Sequence, residues 1–335
     1  MAVNAATVET YDVSVLREDL QEAYSMISPE ETPFHSAIGT KTITQPKFEW
    51  PVVDLAPLEY GNRVIEGDDA PPVNDATLAV RLANYAQISD KQLSVSHTSD
   101  ASDAAAENIQ ELSEQVALKL RELKRDCEGM ALDNIAAAPG SSGNARASAG
   151  LPAFLRTNLK LEAGNTAPTL SGTTEGYPDA ALVEATTPVA LTEDNFNDVI
   201  QQCWEAGADP TIAMVNANNK RVISATFTGA STRYKDAVDK QLVAAIDIYT
   251  SDFGELQVVP NRFQPTINRA GDDDEFAVYI LDPNFARIAE LESTKQKPLA
   301  ETGHSRKRLI WREWGLQVDN EAAHGAVYGT SGASA

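Results

Sequence analysis

Apolar and polar positions change rhythm several times along this chain, and each change marks a new element. Between residues 47 and 96 the period is two. Lys47-Phe48-Glu49-Trp50-Pro51-Val52-Val53-Asp54-Leu55 alternates and is rich in β-formers, and residues 79–88 and 92–96 alternate as well, which predicts strands. Between them lies a polar, turn-rich tip, Glu66-Gly67-Asp68-Asp69-Ala70-Pro71-Pro72. The pattern describes a long two-stranded excursion with a weakly apolar surface. A lone hairpin is marginal in water, so it needs a partner from its own body or from a neighbouring subunit.

Between residues 100 and 138 the period becomes helical. Ile109, Leu112, Val116, Leu120, Leu123, Cys127 and Met130 recur at spacings of three and four, with Glu107, Glu111, Glu114, Lys119, Arg121, Lys124, Arg125 and Glu128 between them. This predicts one amphipathic helix capped by Ser99 or Ser102 and stopped by Pro139-Gly140. It would be roughly 50–60 Å long, a spine rather than an ordinary domain helix. A shorter amphipathic helix is predicted within 12–27, on an arm that cannot bury much by itself. Residues 139–190 are rich in Gly, Ser, Thr, Ala and Pro and read as loops.

A second body follows over 191–270. Leu191-Thr192-Glu193-Asp194-Asn195 has a helix-capping pattern, and Phe196, Val199, Ile200, Cys203 and Trp204 continue it to about Gly207. A short buried strand at 211–215, a helix from about Asn218, and a hairpin turning at Asp252-Phe253-Gly254 complete it. Strands return at 275–281, 286–291 and 308–318, with Trp311 and Trp314 as packing residues on the last. Helices and strands are intermixed, so the fold class is α+β.

Charge narrows the function. The 335 residues carry 49 Asp and Glu against 27 Lys and Arg, a net charge of −22. This excludes a broad basic face for gripping nucleic acid, and it disfavours an anionic membrane surface. Apolar residues make up 42% of the chain, enough for a core. Cys127 and Cys203 cannot make a disulfide framework and point to a reducing compartment. The first fifteen residues have no signal-peptide pattern, and no run reaches the ~18 apolar residues of a membrane span.

No catalytic, cofactor or metal constellation emerges. The four histidines, His35, His97, His304 and His324, lack metal-ligand spacing, and no GxSxG, Walker or GxGxxG pattern is present. Asp272-Asp273-Asp274-Glu275 and Glu66-Gly67-Asp68-Asp69 read as solvated turns, lacking the spacing of a calcium loop. Cys127 lies on the apolar stripe and reads as a core residue. One charge feature stands out. Lys295, Lys297, Arg306, Lys307, Arg308 and Arg312 face a single acid, Glu301, within 295–312. It is either an ordinary basic loop or a surface for an acidic patch on another copy, such as the 66–69 tip.

The order of parts, together with eight segments, resembles the major capsid protein of a tailed bacteriophage with the Hong Kong 97-type fold. More narrowly, it resembles the family typified by podophage SU10. The segments are SPEETPFHSAIG at 28–39, EGDDA at 66–70, RLANYAQI at 81–88, ELKRDCEGMAL at 122–132, GLPAFLRTN at 150–158, DVIQQCWEAGADPT at 198–211, SDFGELQVVPNRF at 251–263 and EAAHG at 321–325. The resemblance implies an N-terminal arm at 1–40 and an extended loop at 41–98. It implies a peripheral domain over 99–190 with the spine helix, an axial domain at 191–275, and a second peripheral part at 276–335. It further implies a structural protein of the virion, not an enzyme, with no cofactor. Copies would form hexamers and pentamers around double-stranded DNA, made in the host bacterial cytoplasm. A separate scaffolding protein is implied because the arm begins almost at Met1; a portal is implied as well, and decoration proteins are left open. The candidate inter-subunit contacts are Trp50, Glu66, Asp68, Asp69, Lys295, Lys297, Arg306, Lys307 and Arg308. The alternatives are an encapsulin-type shell, which needs a cargo-peptide groove, and a soluble acidic α+β enzyme.

Overall fold

The computed structural model describes residues 31–53, 55, 58–63, 65–67, 78–101, 112–161, 166–172, 174–183, 191–227, 247–266, 275–301 and 303–331. The helix expected at 12–27, Asp68, Asp69 and the run Asp272-Asp273-Asp274 lie outside these residues. Among the described residues no helix is long and apolar enough to cross a membrane.

The chain divides into two compact units. The smaller gathers the described parts of 91–121 and 296–310, and the larger takes 30–90, 122–295 and 311–335. The first elements are α1 (Pro33–Ala37), β1 (Gly39–Thr42), β2 (Lys47–Val52), β3 (Val80–Tyr85), β4 (Gln87–Ser96), α2 (His97–Ala101) and α3 (Leu112–Ala131). After them come α4 (Leu151–Phe154), β5 (Leu159–Lys160), β6 (Thr169–Leu170), β7 (Pro178–Ala180), α5 (Glu193–Glu205), β8 (Ile212–Val215) and α6 (Ala217–Val222). The last strands are β9 (Ile248–Ser251), β10 (Gly254–Pro260), β11 (Glu275–Leu281), β12 (Ala286–Pro298), β13 (Ser305–Val318) and β14 (Gly325–Ser331). Two larger sheets have the orders β1-β12-β13-β4 and β5-β14-β11-β8-β10-β9, and β2-β3 and β6-β7 pair on their own.

The six-stranded sheet holds the main core. Its central strand β11 runs antiparallel to both β8 and β14, and β8 runs parallel to β10. Helix α5 starts where Thr192 Oγ1 accepts the Asn195 amide (3.3 Å), with Glu193 and Asp194 favouring the positive end of the helix. Its stripe of Phe196, Val199, Ile200 and Cys203 packs with Ala213, Val215, Leu256, Val258, Val278, Ile280 and Val327. Burying each large side chain contributes about 1.5–3 kcal/mol before the chain-ordering cost. Gly325 allows the helix to sit on β14, since a Cβ there would lie 2.3 Å from Val199 Cγ1. Trp204, at the margin of the stripe, is 51% exposed and rests against Phe253 instead.

This sheet draws strands from more than one of the segments that the resemblance names. Strands β11 and β14 fall in the 276–335 segment expected in a peripheral part, apart from Glu275, but they share a sheet and a core with the 191–275 body. Apolar runs show that a strand is buried; they do not say which strands it pairs with.

The spine helix also differs from its expected span. Its described residues end at Ala131, not near 138, so the described part is about 30 Å long at 1.5 Å per residue. The chain turns there because another segment needs the space. Gly150 lies against the turn so closely that a Cβ would be 2.0 Å from the Asp133 carbonyl oxygen, and its amide donates to the Ile135 carbonyl (3.1 Å). Leu123 and Cys127 are buried as expected, whereas Leu120 is 39% exposed and Glu128, expected on the polar side, is fully buried.

Candidate assembly surfaces

The extended hairpin forms as expected, with β2 and β3 antiparallel and Trp50 opposite Leu82. Alternation separates its two faces. Phe48 and Trp50 turn inward, stacked at 5.8 Å, and Trp50 also meets Phe154. Lys47 and Glu49 turn outward and pair at 2.7 Å, with Arg81 3.6 Å from the same carboxylate. Hydrogen bonding to Glu49 raises the Lys47 ammonium above its ordinary value. Asn84 locks the base. Buried within the chain, it donates to Ser148 Oγ and the Leu316 carbonyl, and its Oδ1 accepts the Ala149 amide.

The base and the distal part of this hairpin differ in kind. Trp50 is 4% exposed, but Leu55 is 91%, Tyr60 86%, Leu78 79%, Ile65 77% and Leu58 75%. The Trp50 ring is enclosed within its own chain, against Phe48 and Phe154. The distal apolar residues are the ones left open. Their sequence signal was present, but spread thinly through a polar stretch. Glu66, beside them, is exposed.

The basic segment occupies the adjoining ends of β12 and β13. Lys297 and Arg306 are exposed and Lys307 and Arg308 half-buried, and the Leu299 amide donates to the Lys307 carbonyl (3.0 Å). Lys295 is exposed and pairs with Glu292 (3.0 Å). Arg312 leaves the cluster. It pairs with Glu290 and lies over Trp314, with 11% of its side chain exposed. At the same end the rings of His97 and His304 meet edge-on at 4.8 Å. Among the described residues, no group of three or more His, Cys, Asp or Glu side chains could hold a metal ion.

A third arrangement was not legible in the sequence. Glu128 on α3 accepts the Phe34 amide (2.8 Å), the His35 amide (2.9 Å) and Asn261 Nδ2 (2.8 Å), and meets His35 Nδ1 at 2.9 Å. One carboxylate thus ties α1, α3 and the segment after β10. Burial pushes the Glu128 carboxyl up, but the hydrogen bonds from the His35 ring and the two amides outweigh burial and hold it below the ordinary range. Glu321 plays a parallel part, accepting the Arg156 and Thr157 amides (3.1 and 3.2 Å). Beside it His324 is 1% exposed, accepts the Asp282 amide on Nδ1 (3.3 Å), and is pushed down to about 4 by burial. Five of the eight family-like segments meet at these two carboxylates. The partners within each set lie far apart in sequence.

Residues 4–331 match the family model for the SU10 major capsid protein. The chain belongs to that family. It is 25% identical over 357 residues to the major capsid protein of Escherichia phage Phieco32, covering 98% of each chain. Its fold is similar to the capsid of a native GTA particle, with a TM-score of 0.59 at 14% identity, covering 98% of this chain and 100% of the other. It is also similar to an encapsulin of Synechococcus elongatus, with a TM-score of 0.56 at 9% identity and 98% of each chain covered. The fold is thus the expected α+β, Hong Kong 97-like one. The protein is a phage major capsid protein, a structural component of the virion shell that assembles with copies of itself. The family match covers nearly the whole chain and places this reading above an encapsulin or an enzyme.

Proposed function

We propose that this capsid protein forms hexamers and pentamers that close an icosahedral or prolate head around double-stranded DNA, with the extended hairpin of each copy laid over its neighbour. The observation that carries this reading is the change in exposure along that hairpin, from 4% at Trp50 to 91% at Leu55. Five large apolar side chains left open along one element supply apolar surface for a partner to cover. Closed symmetry repeats each modest contact many times, so no single interface need be strong. The body built on α5 and α6 meets its symmetry mates at the capsomer axes.

The charge of −22 opposes assembly unless opposite charges meet where copies touch. Lys297, Arg306, Lys307 and Arg308, with Lys295 beside them, therefore face an acidic surface of another copy, such as Glu66, Asp68 and Asp69. Such pairing sets register more than affinity. An acidic wall also repels phosphates, which leaves packaged DNA free to slide without sequence-specific binding. A separate scaffolding protein and a portal take part in assembly, in the host bacterial cytoplasm.

Co-expression with the phage's own scaffolding protein, followed by electron microscopy and sedimentation, tests this. Closed shells with six- and five-fold capsomers are expected; a monomer would overturn the reading. Reversing Arg306, Lys307 and Arg308 to Glu should lower shell yield and leave the circular dichroism of the free chain unchanged. Normal yield from that variant would remove the charge pairing.

A further inference from the structure

The stretch between α4 and α5 reads in sequence as a linker, yet the chain stitches it down at both ends. At one end the Ala83 amide donates to the Gly176 carbonyl (2.8 Å) and the Gly176 amide donates to the Arg81 carbonyl (2.9 Å). Residue 176 thereby forms a parallel bridge to Leu82 of β3. The Tyr177 ring meets Tyr85 edge-on at 5.2 Å. At the other end Asn134, just past α3, donates through Nδ2 to the Leu182 carbonyl (2.9 Å), and its Oδ1 accepts the Leu182 amide (3.0 Å). The Ala137 amide donates to the Pro178 carbonyl (2.9 Å).

The span between the two ends has its own structure. Strands β6 and β7 pair with each other, and Leu170 and Leu182 are buried. The turn joining them closes through the Ser171 amide donating to the Tyr177 carbonyl (2.9 Å) and Ser171 Oγ accepting the Tyr177 amide (3.1 Å). Gly176 has φ +104°, and a Cβ there would lie 2.1 Å from Ser171 Oγ. A side chain at 176 must therefore open the turn or withdraw from β3.

We propose that residues 169–172 and 174–182 are a strut that joins the base of the extended hairpin to the C-terminal end of the spine helix, so that the two move as one piece. This is a property of the single chain and goes beyond shell formation. It lets a rotation of the helix be delivered to the apolar distal residues of the hairpin. A loop that merely touched β3 would yield at its free end; a piece paired to itself and fixed at both ends transmits.

The test perturbs one end and reads the other, by hydrogen exchange on the full-length unassembled chain. Asn134→Ala cuts only the helix end. The Leu182 amide should exchange faster, and the Ala83 amide on β3 should accelerate with it at least tenfold, while amides of β8 stay unchanged. Gly176→Ala should produce the converse, with faster exchange at Leu182. Acceleration confined to the altered end in Asn134→Ala overturns the strut. If Gly176→Ala also loses protection in β8, it has unfolded, and Asn134→Ala alone decides.

Discussion

The six-stranded sheet and the extended hairpin solve the same problem in opposite ways. In the sheet, β11 has neighbours on both edges, and residues 277–280 are completely buried. The hairpin has the beginning of such a core, at Phe48, Trp50 and Leu82, and beyond Val52 Leu55, Leu58, Tyr60, Ile65 and Leu78 stand open. One chain thus carries a body that is finished and an element that is not. The two regions carry different kinds of stability. Folding of the subunit depends on the sheet; the hairpin's open apolar surface is available for assembly.

Changes in the core, at the buried ionisable groups and at the exposed hairpin residues separate the two regions. The largest effect on the free subunit is expected in the finished body. Phe196→Ala removes a ring at 0% exposure, and should destabilise the chain by about 3–5 kcal/mol, measured by denaturant unfolding. A loss under 1 kcal/mol would show that this core is not where subunit stability lies.

Next comes the carboxylate that ties α1 to the body. Glu128→Ala leaves the Phe34 amide and Asn261 without their acceptor, at a cost of about 3 kcal/mol. The same site sets a pH dependence. The Glu128 carboxyl is held below its ordinary value, so its contribution is present above the ordinary carboxylate range and lost as pH falls through the folded value. His324 acts in the same direction. Its folded value, about 4, lies below the ordinary 6.5, so the folded chain resists a proton that the unfolded chain accepts. Stability from this group is complete above about 6.5 and falls by about 3 kcal/mol by pH 4. Unfolding midpoints measured across that range should therefore drop steadily, and His324→Asn should flatten the upper part of the curve.

The smallest effect on the free subunit is expected at the unfinished end. Leu55→Ser and Tyr60→Ser should change subunit stability by no more than about 0.5 kcal/mol, yet lower shell yield when assembled with the scaffold. Equal losses of stability at Leu55 and Phe196 would erase the distinction between the two regions.

Much of this was legible in the residues. Period two marked the hairpin, period three and four marked α3 and α5, and the Thr192 cap placed the start of α5 correctly. These signals are local, carried by neighbours within one or two turns. Trp50 shows the limit. Its alternation placed it on one face of a strand, but whether that face meets its own chain or another depends on Phe154, more than a hundred residues away. Glu128 shows the limit again. An acid beside an apolar stripe reads as solvated, and only the arrival of Phe34, His35 and Asn261 makes burial of the charge affordable.

Local pattern was enough for the longer helices and strands, their order, the net acidic charge and, through eight short segments, the family resemblance. Which strands share the main sheet, where the spine helix ends beside Gly150, and which carboxylates are enclosed depend on the folded chain. The reason is physical. Propensity and periodicity are properties of contiguous residues, whereas strand partners and buried charges are settled by residues that the chain brings together from far apart.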